Sequence, residues 1–132
     1  MTVFLDTVGL LALWDRSDQW HAAAESSFAR LVALRVNFIT TDFIFIECGN
    51  SAARRPYRSA VNRLRREMEL GGRVASPSPD ELIAAWIEYD RGEANSAGIV
   101  DHISFGVMRR LNIRRAFTND QHFRAAGFET LF

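Results

Sequence analysis

Four acids, Asp6, Glu47, Asp101 and Asp120, stand where a carboxylate is either costly or conspicuous. Glu47 interrupts the run Phe43-Ile44-Phe45-Ile46 and is followed by Cys48-Gly49. Asp101 lies between Gly98-Ile99-Val100 and Ile103-Ser104-Phe105. An unpaired carboxylate in apolar surroundings costs several kcal/mol, so it must either pair with a basic group or hold a cation. With a single cysteine, Cys48, and only three histidines, sulfur and imidazole ligands are nearly absent. An all-oxygen site suits Mg²⁺ or Mn²⁺. Such an ion keeps several waters and open positions for phosphate oxygens, so its chemistry is water activation and phosphate polarisation.

Each acid alone has an ordinary structural explanation. Asp6 could cap a helix, Asp120 could sit in a helix N-terminal turn, and Glu47 and Asp101 could pair with arginines. Their positions in the fold give the joint occurrence its weight. Val3-Phe4-Leu5 reads as a buried strand, and Val36 to Thr40, Arg73 to Ala75, Arg115 to Thr118 and Phe128 to Leu131 follow as further strands. Helices are expected over 8–14, 20–34, 43–53 with Asp42 as cap, 57–70 stopped by Gly71-Gly72, 79–89 and 97–111, with a short turn after Asp120. Ser78-Pro79-Asp80-Glu81 is a capping box with proline at the first helical position. The polar stretch Asp90 to Ser96 reads as a loop, and Asn112 as a helix terminator.

Alternation of strands and helices implies one α/β domain, a mostly parallel sheet of about five strands with helices on both faces. Ligands of such sheets bind at the carboxyl ends of the strands. Asp6 and Asp120 follow strands, Glu47 lies in the second turn of a helix leaving a strand, and Asp101 opens a helix that descends to feed one. All four are therefore expected at a single rim.

The bulk numbers narrow the alternatives. The chain has 132 residues, 48% hydrophobic and 24% charged, the balance of one folded domain. Sixteen basic and sixteen acidic residues cancel, so any polyanion partner must be met by local patches. Every basic residue is an arginine, which excludes Schiff-base and P-loop lysine chemistry and nearly eliminates a phosphoacceptor receiver domain. A lone cysteine fits a reducing cytoplasm. No apolar run is long enough to span a membrane, and the opening residues lack the basic region of a signal peptide.

The same residues carry a family likeness. Val3-Phe4-Leu5-Asp6-Thr7, Thr40-Thr41-Asp42-Phe43-Ile44-Phe45-Ile46-Glu47, Ile99-Val100-Asp101-His102-Ile103-Ser104-Phe105 and Phe117-Thr118-Asn119-Asp120-Gln121-His122-Phe123 resemble the motifs of the PIN domain family. Within it, the chain resembles the VapC-type toxins of bacterial toxin–antitoxin pairs. Asn119 stands where the family often has an apolar residue. The resemblance implies that Asp6, Glu47, Asp101 and Asp120 bind the metal and that Thr118 supplies a hydroxyl lining the site. It implies a metal-dependent endoribonuclease, a cognate antitoxin and a homodimer; the alternative is a catalytically silent PIN scaffold used for nucleic-acid or protein binding.

Two further groups bear on the RNA and the antitoxin that the resemblance implies. Arg58 and Arg65, seven apart among six arginines between Arg54 and Arg66, share a helical face and are candidates for RNA phosphates. Trp14, Trp20, Phe28 and Tyr57 either pack in the core or line an antitoxin groove. His21, His102 and His122 are expected as surface or supporting groups rather than ligands, and Cys48 as a small core residue.

Overall fold

The computed structural model describes residues 1–132. Strand β1 (Thr2–Leu5) leads to α1 (Thr7–Trp14) and α2 (His21–Ala33), then β2 (Asn37–Thr41), α3 (Asp42–Ser51) and α4 (Arg58–Leu70). Strand β3 (Val74–Ala75) follows, then α5 (Pro79–Asp90), α6 (Glu93–Ser96), α7 (Ile99–Arg110), β4 (Arg115–Phe117), α8 (Gln121–Ala125) and β5 (Glu129–Thr130). The five strands form one sheet in the order β3-β2-β1-β4-β5, every neighbouring pair parallel.

β1 is central and buried on both faces, with Val3, Phe4 and Leu5 all in the core. Its register does most of the positioning. Leu5 pairs with Phe117 of β4 and Phe4 with Ile39 of β2. The residues that immediately follow the β1–β4 pairing are Asp6 and Thr118, which are thereby set side by side. A close approach of α1 to β4 tightens this corner: a Cβ on Gly9 would lie 2.0 Å from the Phe117 carbonyl oxygen, so only glycine fits.

Helix boundaries follow local chemistry. The Ser78–Glu81 capping box forms as the sequence requires, with Pro79 at the first position. Asn112 takes a left-handed φ of 56° and ends α7, with Ile113 N–H bonded back to Met108. Thr41 rather than Asp42 caps α3: its Oγ1 accepts from Ile44 N–H, and Asp42 becomes the first helical residue. Residues 93–96 form a short helical turn rather than a loop, with Ala94, Asn95 and Ser96 all at left-handed φ.

Six apolar residues depart from the amphipathic pattern. Trp20 caps α2 half-exposed instead of packing, and Leu34, at the helix end, is largely exposed. On α5, Ile83, Trp86, Ile87 and Tyr89 all face outward, Trp86 and Tyr89 meeting edge to face at 5.5 Å. Trp14, Phe28 and Tyr57 are half-buried against the core, and Phe28 stacks on Phe38 at 5.2 Å.

Candidate active site

The β1 terminus delivers Asp6 into the interior, where it is 1% exposed. It caps α1 through Val8 N–H, and its Oδ2 accepts from Thr118 Oγ1 at 2.8 Å. Thr118 in turn accepts from Asp120 N–H at 3.1 Å, so one hydroxyl joins the acid after β1 to the acid after β4. Thr118, the hydroxyl that the family likeness sets in the site, stands between these two acids. It is fully buried and both of its bonding directions are taken.

Glu47 reaches the same corner from the second turn of α3. Its Oε1 accepts a short hydrogen bond from Thr7 Oγ1, the hydroxyl next to Asp6, which leaves Oε2 without a donor. Asp101 occupies the first turn of α7, where the helix N-terminus favours a negative charge. Asp120 caps α8 through His122 N–H, and its Oδ1 also bonds His122 Nδ1 at 2.7 Å. The ordinary capping roles considered for Asp6 and Asp120 are thus real, and they coexist with convergence.

Electrostatics shows how close the acids are. Burial, then repulsion from Asp101 and Asp120, pushes Asp6 from an ordinary carboxylate value up to about 8, against the opposing bond from Thr118. Burial, then Asp120 and Glu47, lifts Asp101 to about 6, with His122 opposing. Neither Glu47 nor Asp101 makes a salt bridge, so the arginine-pairing alternative does not hold. The negative charge at this rim is left for something outside the protein chain.

One atom each from Asp101, Asp120 and His122 lie within 4.8 Å of one another, close enough to share one ion. His122 thus stands among the acids. A spacing of two does not place residues on one helix face; His122 and Asp120 meet because Asp120 stands outside α8 as its extended N-cap, with its carboxylate turned back over the first turn. His102 is neither on the surface nor beside the acids. It is buried in the core, Nδ1 against Glu88 at 3.2 Å and edge-on to Phe105. His21 bonds the Ala12 carbonyl oxygen at 2.8 Å. Cys48 is a core residue whose thiol burial raises to about 12, far from nucleophilic.

On α4, Arg65 is engaged within its own helix, bonding Glu69 at 2.8 Å and Asn62 at 2.9 Å. Arg58 has no such partner and is exposed.

A parallel sheet in this strand order with acids at the carboxyl ends of its strands is an α/β scaffold that carries its site at that rim. The PIN domain family model matches residues 3–129, and the chain belongs to that family. It is 29% identical over 127 residues to the 23S rRNA-specific endonuclease VapC20 of Mycobacterium tuberculosis, in strains CDC 1551 and H37Rv, covering 96% of this chain and 95% of that one. The crystal structure of M. tuberculosis VapC20, described as a sarcin-ricin loop cleaving toxin, superposes with a TM-score of 0.78 over the same shares. No helix is long and apolar enough to cross a membrane.

Proposed function

We propose that this protein is a divalent-metal-dependent endoribonuclease of the VapC toxin type, acting in the cytoplasm and held in check by a cognate antitoxin. The observation that carries the reading is the rim of four converging acids with no arginine partner, two of them pushed above the usual carboxylate range. The donor set, carboxylate oxygens with one imidazole beside them, fits a hard divalent ion, Mg²⁺ or Mn²⁺. Asp6, Asp101, Glu47 and Asp120 would hold it. When bound, the ion supplies Lewis-acid polarisation of the phosphate and an acidified water.

The chain's residues do the rest. Asp6 and Asp101 present the buried negative charge, and Thr118 holds Asp6 against β4 while fixing the backbone of Asp120. Glu47, anchored at one oxygen by Thr7, keeps the other free to orient and deprotonate a water for in-line attack at phosphorus. The new P–O bond forms as the bond to the 3′ oxygen breaks, leaving a 3′-hydroxyl and a 5′-phosphate. Phosphates either side of the cut are the proposed targets of Arg58 and Arg65. Arg58 brings the freer charge, because Arg65 already shares its guanidinium with Glu69.

Purified protein incubated with pooled cellular RNA and Mn²⁺ should cleave it, and Asp101→Asn should lower the rate at least about a hundredfold. Cleavage untouched by that change, or absent from the unmodified chain, sinks the reading. The outward apolar face of α5 supports a homodimer, a second copy covering Ile83, Trp86 and Ile87. Light scattering should then give twice the 15.0 kDa chain mass, falling to one chain in Trp86→Glu.

A further inference from the structure

A cavity of about 520 Å³ opens where α1 ends, opposite the turn joining α3 to α4. Its lining combines features that no single structural role requires. Trp14 and Tyr57 present near-parallel rings, 26° apart with centroids at 6.4 Å. Arg16 and Arg55 line it too, both exposed and neither in an ion pair. Asp15 takes the C-cap of α1 in extended conformation, and its Oδ1 accepts from Ser17 N–H at 3.0 Å and Ser17 Oγ at 2.6 Å. Those bonds hold Asp15 ionised and leave its Oδ2 without a partner.

We propose that this cavity receives an unpaired base of the RNA substrate, stacked against Trp14 and Tyr57, with Asp15 reading its donor edge and Arg16 and Arg55 taking the flanking phosphates. This rests on the ribonuclease reading and deepens it, naming a grip on the strand away from the scissile bond. Trp14 lies eight residues along α1 from the Asp6 cap, a helix length of about 12 Å, so the cavity is within reach of a strand bound at the acids.

The chemistry selects among occupants and among bases. Unpaired RNA bases are recognised by stacking on aromatic or guanidinium planes and by hydrogen bonds at their Watson–Crick edges. A purely apolar protein segment would leave two arginines and a carboxylate without partners; a nucleotide satisfies all three. The open Oδ2 of Asp15 meets guanine best, whose N1–H and N2–H donors lie side by side and can converge on one oxygen. It meets uracil worst, whose single N3–H is flanked by two carbonyl oxygens.

The test uses the chain in metal-chelating buffer, so that the probes are not cut, and two single-stranded RNA probes: oligo-uridine, and the same oligomer with one guanine at its centre. The guanine probe should bind about tenfold more tightly or better. Asp15→Asn, which keeps the acceptor for Ser17, should erase that ratio. Arg16→Ala with Arg55→Ala should weaken both probes by about tenfold at low salt, with circular dichroism confirming the fold. A ratio near one, or a ratio unmoved by Asp15→Asn, overturns the proposal. So does RNA affinity indifferent to both arginines while capture of a protein partner is lost, which makes the cavity a protein-docking site. Manganese-dependent cleavage by the unmodified chain separates the two readings: present with an unmoved ratio, the pocket alone fails; absent, the nuclease reading fails first.

Discussion

The acidic rim and the arginine face of α4 are opposite solutions to carrying uncompensated charge. At the rim, Asp6 is driven into the interior and lifted to about 8 by burial and by its acidic neighbours. On α4, Arg58 and Arg66 stand in water at no comparable cost, and Arg65 spends its charge on Glu69. A buried acidic cluster is suited to holding a divalent ion in defined geometry, and without one it destabilises the fold. An exposed face binds any phosphate weakly and costs almost nothing. Recognition can be diffuse; the reacting centre cannot.

That contrast can be broken most forcefully at Asp6. In the absence of divalent ions the folded chain holds protons on Asp6 and Asp101 that the unfolded chain has already released above about pH 4. The folded state therefore binds more protons, and stability falls as pH rises from about 4 through 6, where Asp101 titrates, to about 8, where Asp6 does. Asp6→Asn should flatten this slope and raise the metal-free melting temperature at pH 8 by several degrees, about 1–2 kcal/mol, while abolishing Mn²⁺-induced stabilisation. Thermal melts at pH 5, 6.5 and 8, with and without Mn²⁺, decide it; a melting temperature that climbs with pH in metal-free buffer contradicts the buried-charge account.

Thr118 sharpens the comparison from the side of geometry. Thr118→Val keeps the shape and removes the bonds to Asp6 and from Asp120 N–H. Mn²⁺ affinity, read by calorimetry, should drop about tenfold to a hundredfold, with the fold intact. Unchanged affinity would mean the acids hold their places without the link.

The smallest effect belongs to α4. Arg58→Ala should weaken single-stranded RNA binding and reduce the salt slope by about 0.7, one phosphate contact's worth. Arg65→Ala should do less, since its charge is already shared. Equal losses in filter binding across a salt series would show that the Glu69 pair opens freely when RNA arrives.

Much of this is legible in the amino-acid sequence. The apolar strand Val3-Phe4-Leu5, the Ser78–Glu81 capping box and the Asn112 stop announce themselves through local chemistry. Parallel alternation then brings the acids to one rim. What stayed hidden depends on side-chain contacts between distant segments. No pattern near Thr118 says that its hydroxyl is enclosed, because Asp6 lies 112 residues away. His102 looks polar in sequence and is core in space, since Glu88 of α5 meets its Nδ1. The outward Ile83, Trp86 and Ile87 invert the simple rule that the apolar stripe faces inward, and the left-handed turn at 94–96 uses residues that carry no glycine signal.

The Thr118 bridge also sets an order of events. Register between β1 and β4 is among the most non-local pairings in the chain, and pairings of that kind close late in folding. A nascent chain that has emerged only as far as α5 can bring Asp6 and Glu47 together, yet Asp101 and Asp120 are still to come. Cutting power would then switch on only once the later strands dock, which keeps a half-made copy inert.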